Sequence, residues 1–357
     1  MNNFYLSSLL AVFVLALVAW IGSLGLPWLF GIVLPYVAVV IFVVGVVRRV
    51  MGWSRSPVPF AIATTAGQQK SLDWIQPNPI DNPSTKLGVF VRMALEVLTF
   101  RSLFRNTRMK LTQEGRFRYS LEIFLWVGAL AFHYAFATVL LRHLRFFLEP
   151  VPWCIRMLET VDSFMRLEIS YNVIQFGLPA VYVSGLVLLA AVVYLFLRRL
   201  CIGNVRYISL ASDFFPLFLI MGIAFTGILM RYFVKADITA VKALTMDLVT
   251  LRALSFDIPE GISPLFYIHL FFVSTLLAYF PYSKLMHMGG IFLSPTRNMT
   301  TNTREVRHVN PWNHPVKVHT YEAYEDEFRE KMVEAGLPVD KMPEPTPEES
   351  TGQEEKE

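Results

Sequence analysis

FHYAFATVLLRH, residues 132–143, places two histidines ten positions apart inside an apolar run. Its flanks extend the run to residues 121–147, and a membrane span needs about 20 apolar residues. An imidazole in hydrocarbon is costly, so each one implies a partner or a task. The stretch therefore reads as a membrane span, and it sets the fold: an all-α integral membrane bundle of about six transmembrane helices.

Composition points the same way. Hydrophobic residues make up 54% of the chain, charged residues only 17%, and mean hydropathy is +0.46. A soluble domain of this length carries more charge. Further apolar runs at residues 5–20, 28–47, 173–197, 214–233 and 264–285 complete six spans, with "GSLGLP" turning between the first two. "MNNFYLSSLL" has no basic n-region, so it is expected to open a retained span and not a cleaved signal.

Loop charge sets the orientation. Residues 48–119 carry 12 Lys/Arg against 4 Asp/Glu, and the link at 198–211 carries three arginines and no acid. The opposing loop at 148–171 mixes Arg156 and Arg166 with Glu149, Glu159, Asp162 and Glu168. The basic side is the expected cytoplasmic side, with both termini there. The chain then divides into two N-terminal spans (1–47), a basic loop (48–119), a four-helix core (120–288) and a cytoplasmic tail (289–357).

Within the basic loop, "TKLGVFVRMALEVLTFRSLFRNTRMK" alternates apolar and basic residues. It reads either as a helix lying at the membrane face or as a plain stop-transfer flank. In the tail, "TYEAYEDEFREKMVEAG" places Tyr321, Tyr324, Phe328, Met332 and Ala335 at helical spacing, with Gly336 as a stop. That helix either docks a soluble partner or packs on its own chain. The "PEPTPEESTGQEEKE" end has the composition of disorder.

Four of the seven histidines fall in or at the end of spans: His133, His143, His269 and His287. A lone one is explained by a hydrogen bond between helices, but four divided evenly between two spans are not. Neutral imidazole is a good axial ligand for haem iron. Cys154 and Cys201 form no CxxCH or four-cysteine set, which leaves b-type haem as the form these residues suit. The third and sixth spans are antiparallel. The outer pair is therefore His143 with His269, and the inner pair His133 with His287.

Helical rise strains this arrangement. Ten residues rise about 15 Å and eighteen rise about 27 Å, so tilt or a kink near Pro281 must absorb about 12 Å. The alternative from a different class is a transporter whose histidines relay protons. It would more often show acids within its spans, and Glu122 is the clearest such acid here.

These residues carry a family resemblance. The paired histidines, "FPYSKLMH" and "DFFPLFLIMGIAFTGILMRY" resemble the cytochrome b (gamma) subunit of respiratory nitrate reductase. "FHYAFATVLLRHLRFF" and the tail "SPTRN…NPWNHPV…TYEAYEDEFREKM" are more similar to the membrane cytochrome b family (DsrM) of the sulfite-reduction-associated DsrMKJOP complex. The resemblance implies two haem b groups on the four histidines, with menaquinone or menaquinol as substrate at the outer haem. It implies a cytoplasmic iron–sulfur partner like heterodisulfide reductase, a periplasmic cytochrome c, a periplasmic iron–sulfur protein and a second membrane subunit. It also implies electron transport in dissimilatory sulfur metabolism at a prokaryotic inner membrane. A gamma-type subunit of a nitrate or heterodisulfide reductase is the nearest alternative.

That family's quinone-contacting lysine has no placeable counterpart in the outer loop, where Arg142, Arg145 and Arg156 are the candidates in its place. Arg142, Arg145 and Arg231 read either as partners of haem propionates or as cations snorkelling to headgroups. Gly128, Gly177, Gly222 and Gly227 are expected within spans, where small residues allow a helix or a macrocycle to approach. A metal site on His308, His314 and His319 is weak, because no cysteine or paired carboxylate joins them. No nucleophile triad or phosphate loop stands out, so chemistry on a soluble substrate is not expected in this chain.

Overall fold

The computed structural model describes residues 4–56, 74, 76–111, 115–164, 168–171, 174–177, 181–255, 257–302 and 318–342. Six of its helices are long and apolar enough to cross a membrane. The first, α1 (Phe4–Gly25), runs through the expected turn and breaks only at Leu26. A short π-helical stretch, Leu29–Val33, then leads into α2 (Leu34–Ser54). The other spans are α5 (Ile123–His143), α7 (Val183–Cys201), α9 (Ala211–Tyr232) and α11 (Pro264–Tyr279).

Between α2 and α5 lie α3 (Lys86–Thr99), the single turn α4 (Arg101–Phe104), and an antiparallel hairpin of β1 (Thr107–Leu111) with β2 (Phe117–Leu121). Thr85 caps α3 by accepting from the Gly88 amide at 3.1 Å, as expected of a threonine N-cap. Asp81 ties down α4 by pairing with Arg101 and Arg105. Burial pushes the Asp81 carboxyl up, but the two guanidiniums outweigh it and hold it at about 2.

The loop after α5 holds α6 (Trp153–Asp162) and three further short strand segments before β6 (Val181–Tyr182) pairs with β3 (Ser163–Phe164). Ile174–Gly177 is itself a strand, paired with Glu168–Tyr171. The fourth span therefore starts at Val183 and not near residue 173, and Gly177 lies in a strand outside it. After α7 come α8 (Gly203–Tyr207) and, beyond α9, α10 (Ile238–Val249).

Helix α9 is the hub. Its Phe214, Phe218 and Leu219 pack with Val12 of α1 and Phe272 of α11, while Ile220 and Ala224 pack with Leu188 and Val192 of α7 and Ala135 of α5. A helix apolar on all sides buries itself this way between neighbours. A Cβ on Gly128 would fall 2.4 Å from the Tyr194 ring, and one on Gly222 would fall 2.8 Å from the Phe272 ring. Both glycines thus serve helix-to-helix approach. Ion pairs lace the side on which α5 begins: Glu122 with Arg198, and Asp213 with Lys284 and Arg199. Glu122, the acid a proton relay would need, is occupied as a clamp between α5 and α7.

The sixth span does not continue as a helix to its last histidine. α11 stops at Tyr279, Phe280–Tyr282 forms a 3-10 turn, and Ser283 leaves helical space at φ −113° and ψ 176°. Pro281 removes a backbone donor, and the Ser283 hydroxyl caps the next turn by accepting from the Leu285 amide at 3.1 Å. His287 then opens the short helix α12 (His287–Leu293), followed by α13 (Pro295–Asn298). The straight-helix rise of about 27 Å therefore does not apply to this segment. The break absorbs the mismatch, and His269 and His287 do not share one helical face.

The tail from Val309 onward belongs, with Ser54–Pro59, to a second compact unit. There α14 (Tyr321–Glu334) begins at the N-cap Thr320 and is followed by Gly336 at φ +70°. Glu325 is buried and accepts from the backbone amides of Asp340 and Lys341, which folds the chain back on the helix. Tyr321 and Tyr324 remain exposed. Residues 303–317 and the Pro/Glu-rich end lie outside the described residues, as do His308 and His314. His319 is half-exposed, with Nδ1 3.9 Å from a Glu327 carboxylate oxygen.

Candidate cofactor site

The four membrane histidines meet in two pairs. His143 faces His269 with ring centroids 6.3 Å apart and planes 17° from parallel. His133 meets His287 at 6.0 Å, with planes 89° apart. His133 and His143 sit on one continuous helix, so the pairs are offset by about 15 Å of rise.

Each imidazole is held by its Nδ1. His133 donates to the Ala129 carbonyl at 2.7 Å, and His143 donates to Val139 at 2.7 Å. His287 donates to the Lys284 carbonyl at 2.8 Å. A carbonyl can only accept, so Nδ1 carries the proton and Nε2 keeps a lone pair. Nδ1 of His269 lies 2.8 Å from the Thr226 hydroxyl, which donates to the Gly222 carbonyl at 2.8 Å and so accepts from the imidazole. A Cβ on Gly227 would lie 3.4 Å from the His269 ring, an ordinary contact distance, so α9 passes close beside that imidazole.

These residues fit a bis-imidazole metal centre. Two metal–imidazole bonds of about 2 Å, each extended about 1 Å to the ring centre, require centroids about 6 Å apart. Both observed separations meet that requirement. The donor set is neutral nitrogen with no thiolate, as b-type haem iron accepts. Aromatic edges flank the rings: Phe100 and Phe132 stand 4.9 and 5.1 Å from His133, and Phe146 stands 5.9 Å from His143. Among the described residues, no group of three or more His, Cys, Asp or Glu forms a separate metal cluster.

A charged cluster borders the His143–His269 pair. Asp162 accepts from the Ser184 amide at 2.7 Å and the Ser184 hydroxyl at 2.6 Å, and it pairs with Arg142 Nε at 3.0 Å. Arg142 lies 3.8 Å from the Tyr182 ring centre, and Arg231 lies 4.8 Å from the same ring. The Tyr182 amide donates to the Tyr232 hydroxyl at 2.8 Å. Arg145 pairs with Glu159 at 2.7 Å, and Arg156 is exposed. Arg142 and Arg145 therefore each carry a carboxylate of this chain. Arg142 and Arg231 each have a buried Nε without a hydrogen-bond partner, but Arg231 differs in that no carboxylate pairs with it among the described residues.

Thr226, Asp162, Tyr182 and Phe100 are the site residues that sequence spacing does not single out. Each acts across 22 to 43 residues of chain or more, and local periodicity carries no such signal.

Residues 88–308 match the family model described as nitrate reductase gamma subunit. The chain is 45% identical over 289 residues to the Hdr-like menaquinol oxidoreductase cytochrome b-like subunit of Archaeoglobus fulgidus, covering 80% of this chain and 83% of that protein. It is 40% identical over 284 residues to the protein of the same description in Archaeoglobus profundus, covering 78% and 81%. No solved structure matches the chain.

Proposed function

The chain belongs to the nitrate reductase gamma subunit family, and on that premise we propose that it is a dihaem cytochrome b serving menaquinol oxidoreduction. The observation that supports this reading most is the pairing of all four membrane histidines with every Nδ1 engaged. Haem b bound at each pair would supply reversible one-electron exchange. His143 and His269 hold the outer group, and His133 and His287 hold the inner one. The hydrogen bonds at Nδ1 restrain ring orientation and tautomer, so the Nε2 lone pair is the one left to bind.

Arg231, partly buried and with no carboxylate pairing with it among the described residues, is the best-placed cation for an anionic edge of the outer group, such as a propionate. Arg142 and Arg145, already neutralised by Asp162 and Glu159, act by holding the outer loop against α5. The electron acceptor or donor on the cytoplasmic side is an iron–sulfur subunit of the heterodisulfide reductase type. The Hdr-like description of both relatives supports that partner. The tail motifs support a place in dissimilatory sulfur metabolism, with periplasmic cytochrome c and iron–sulfur proteins and a second membrane subunit in the same complex. The basic loop and link support a topology with both termini on the cytoplasmic side of a prokaryotic inner membrane.

The function is tested by adding a menaquinol analogue to the purified holoprotein under anaerobic conditions. The haem b absorption should pass to the reduced form without dithionite. Haem that dithionite reduces and menaquinol leaves oxidised contradicts the assignment. Thr226→Val keeps the side-chain shape but removes the acceptor at His269 Nδ1. Loss of such an outer-shell partner costs about 10–100-fold in metal affinity. The variant should lose outer haem progressively on dilution in detergent, while the inner haem stays bound.

A further inference from the structure

Helix α3 is amphipathic the wrong way round for a helix facing water. Its Arg92 and Glu96 are buried at 9% and 6% exposure, whereas Leu87, Phe90 and Leu98 stand 73%, 70% and 58% exposed, with Val91 beside them. Glu96 is satisfied inward, whereas Arg92 Nη1 is buried without a hydrogen-bond partner among the described residues. Glu96 accepts from Arg297 at 2.9 Å and from the Ser102 amide at 3.2 Å. A helix on an aqueous surface buries its apolar stripe and exposes its charges.

The depth of α3 explains the inversion. Its last carbonyls, which have no partner within the helix, are taken by a transmembrane span. The Trp126 indole donates to the Thr99 carbonyl and the Tyr134 hydroxyl to the Leu98 carbonyl, both at 2.7 Å. Trp126 and Tyr134 lie about 5 and 16 Å of rise beyond the start of α5. The C-terminal end of α3 is thus held alongside the first turns of a span, where backbone groups must be satisfied by protein. The chain then turns at Phe100, in the left-handed region at φ 51°, and sets that ring edge-on to His133.

We propose that α3 is a half-inserted helix whose Leu87, Phe90, Val91 and Leu98 face lies in the acyl chains of the leaflet where α5 begins. In that seat it forms the lipid-side wall of the His133–His287 pair. Lys86 at its exposed N-terminal end, and Arg48 and Arg49 at the end of α2, supply cations for the phosphate level of the same leaflet. The proposal does not rest on the redox assignment, because it concerns only the position of α3 in the bilayer.

The test uses the full chain in phospholipid nanodiscs, with Cys154→Ser and Cys201→Ser as background. A nitroxide is attached at Phe90→Cys or Leu98→Cys, and at Arg118→Cys on the exposed hairpin as the aqueous reference. Both outward positions make few contacts, so neither substitution removes core packing. Power saturation should show molecular oxygen relaxing the labels at 90 and 98 more than a water-soluble nickel chelate does, and the reverse at 118. A nickel-dominated profile at 90 and 98 overturns the proposal. Shielding from both reagents also overturns it, by placing a protein partner on this face.

Discussion

Replacing either His143 or His269 by alanine should remove the same haem and leave the other in place. The two imidazoles lie 6.3 Å apart and nearly parallel, so a haem bound between them would depend on both. Removing either leaves the centre with one ligand. His133→Ala and His287→Ala should likewise share a single loss, of the inner haem. Each variant is expected to drop from about two haems to about one per chain, read by pyridine haemochrome on folded, monodisperse protein. Redox titration of the surviving haem distinguishes the sets, because the partners in a pair must leave the same potential behind. If His143→Ala and His133→Ala spared the same haem, the pairing would be wrong.

The largest expected effect on stability is at Asp162. Its carboxylate takes the Ser184 amide, the Ser184 hydroxyl and the Arg142 guanidinium in a buried position. Asp162→Ala strands the guanidinium between Tyr182 and the outer end of α5. Breaking a buried ion pair by removing one member typically costs about 3–5 kcal/mol. The variant should melt well below the wild type in detergent, and its outer haem should be lost first. Arg142→Leu combined with Asp162→Ala should recover part of the deficit, because no unpaired charge then remains. An Asp162→Ala protein that melts with the wild type would show that the cluster does not brace the outer end of α5.

The six spans were legible because hydrocarbon imposes a length and an apolarity that few other elements share. The histidine pairing was legible from chain order alone, since consecutive spans alternate in direction. Composition misled at residues 174–177 and 181–182, which are apolar enough to extend a span but pair as short strands ahead of α7. It misled again after Tyr279. Counting residues along a straight helix overstates the reach to His287, because Pro281 and Ser283 end the helix there. Pro281 was visible as a kink, but the cap by Ser283 was not, because a serine in a membrane span has many uses. The partners that fix each ring were legible only in part. The carbonyls four residues before His133 and His143 follow from helix geometry, whereas Thr226 reaches His269 from a neighbouring span. The propionate reading of Arg142, Arg145 and Arg231 narrowed for the same reason. Loop acids that sequence order sets apart, Asp162 and Glu159, return in space to claim two of the three.

The central claim is that this chain binds two b-type haems through four histidines. Its most direct test is the haem content of the purified, haem-supplied protein, by pyridine haemochrome against protein concentration. About two haem b per chain are expected, with dithionite-reduced α bands of bis-imidazole character. One haem per chain, or none in a folded preparation, would contradict it.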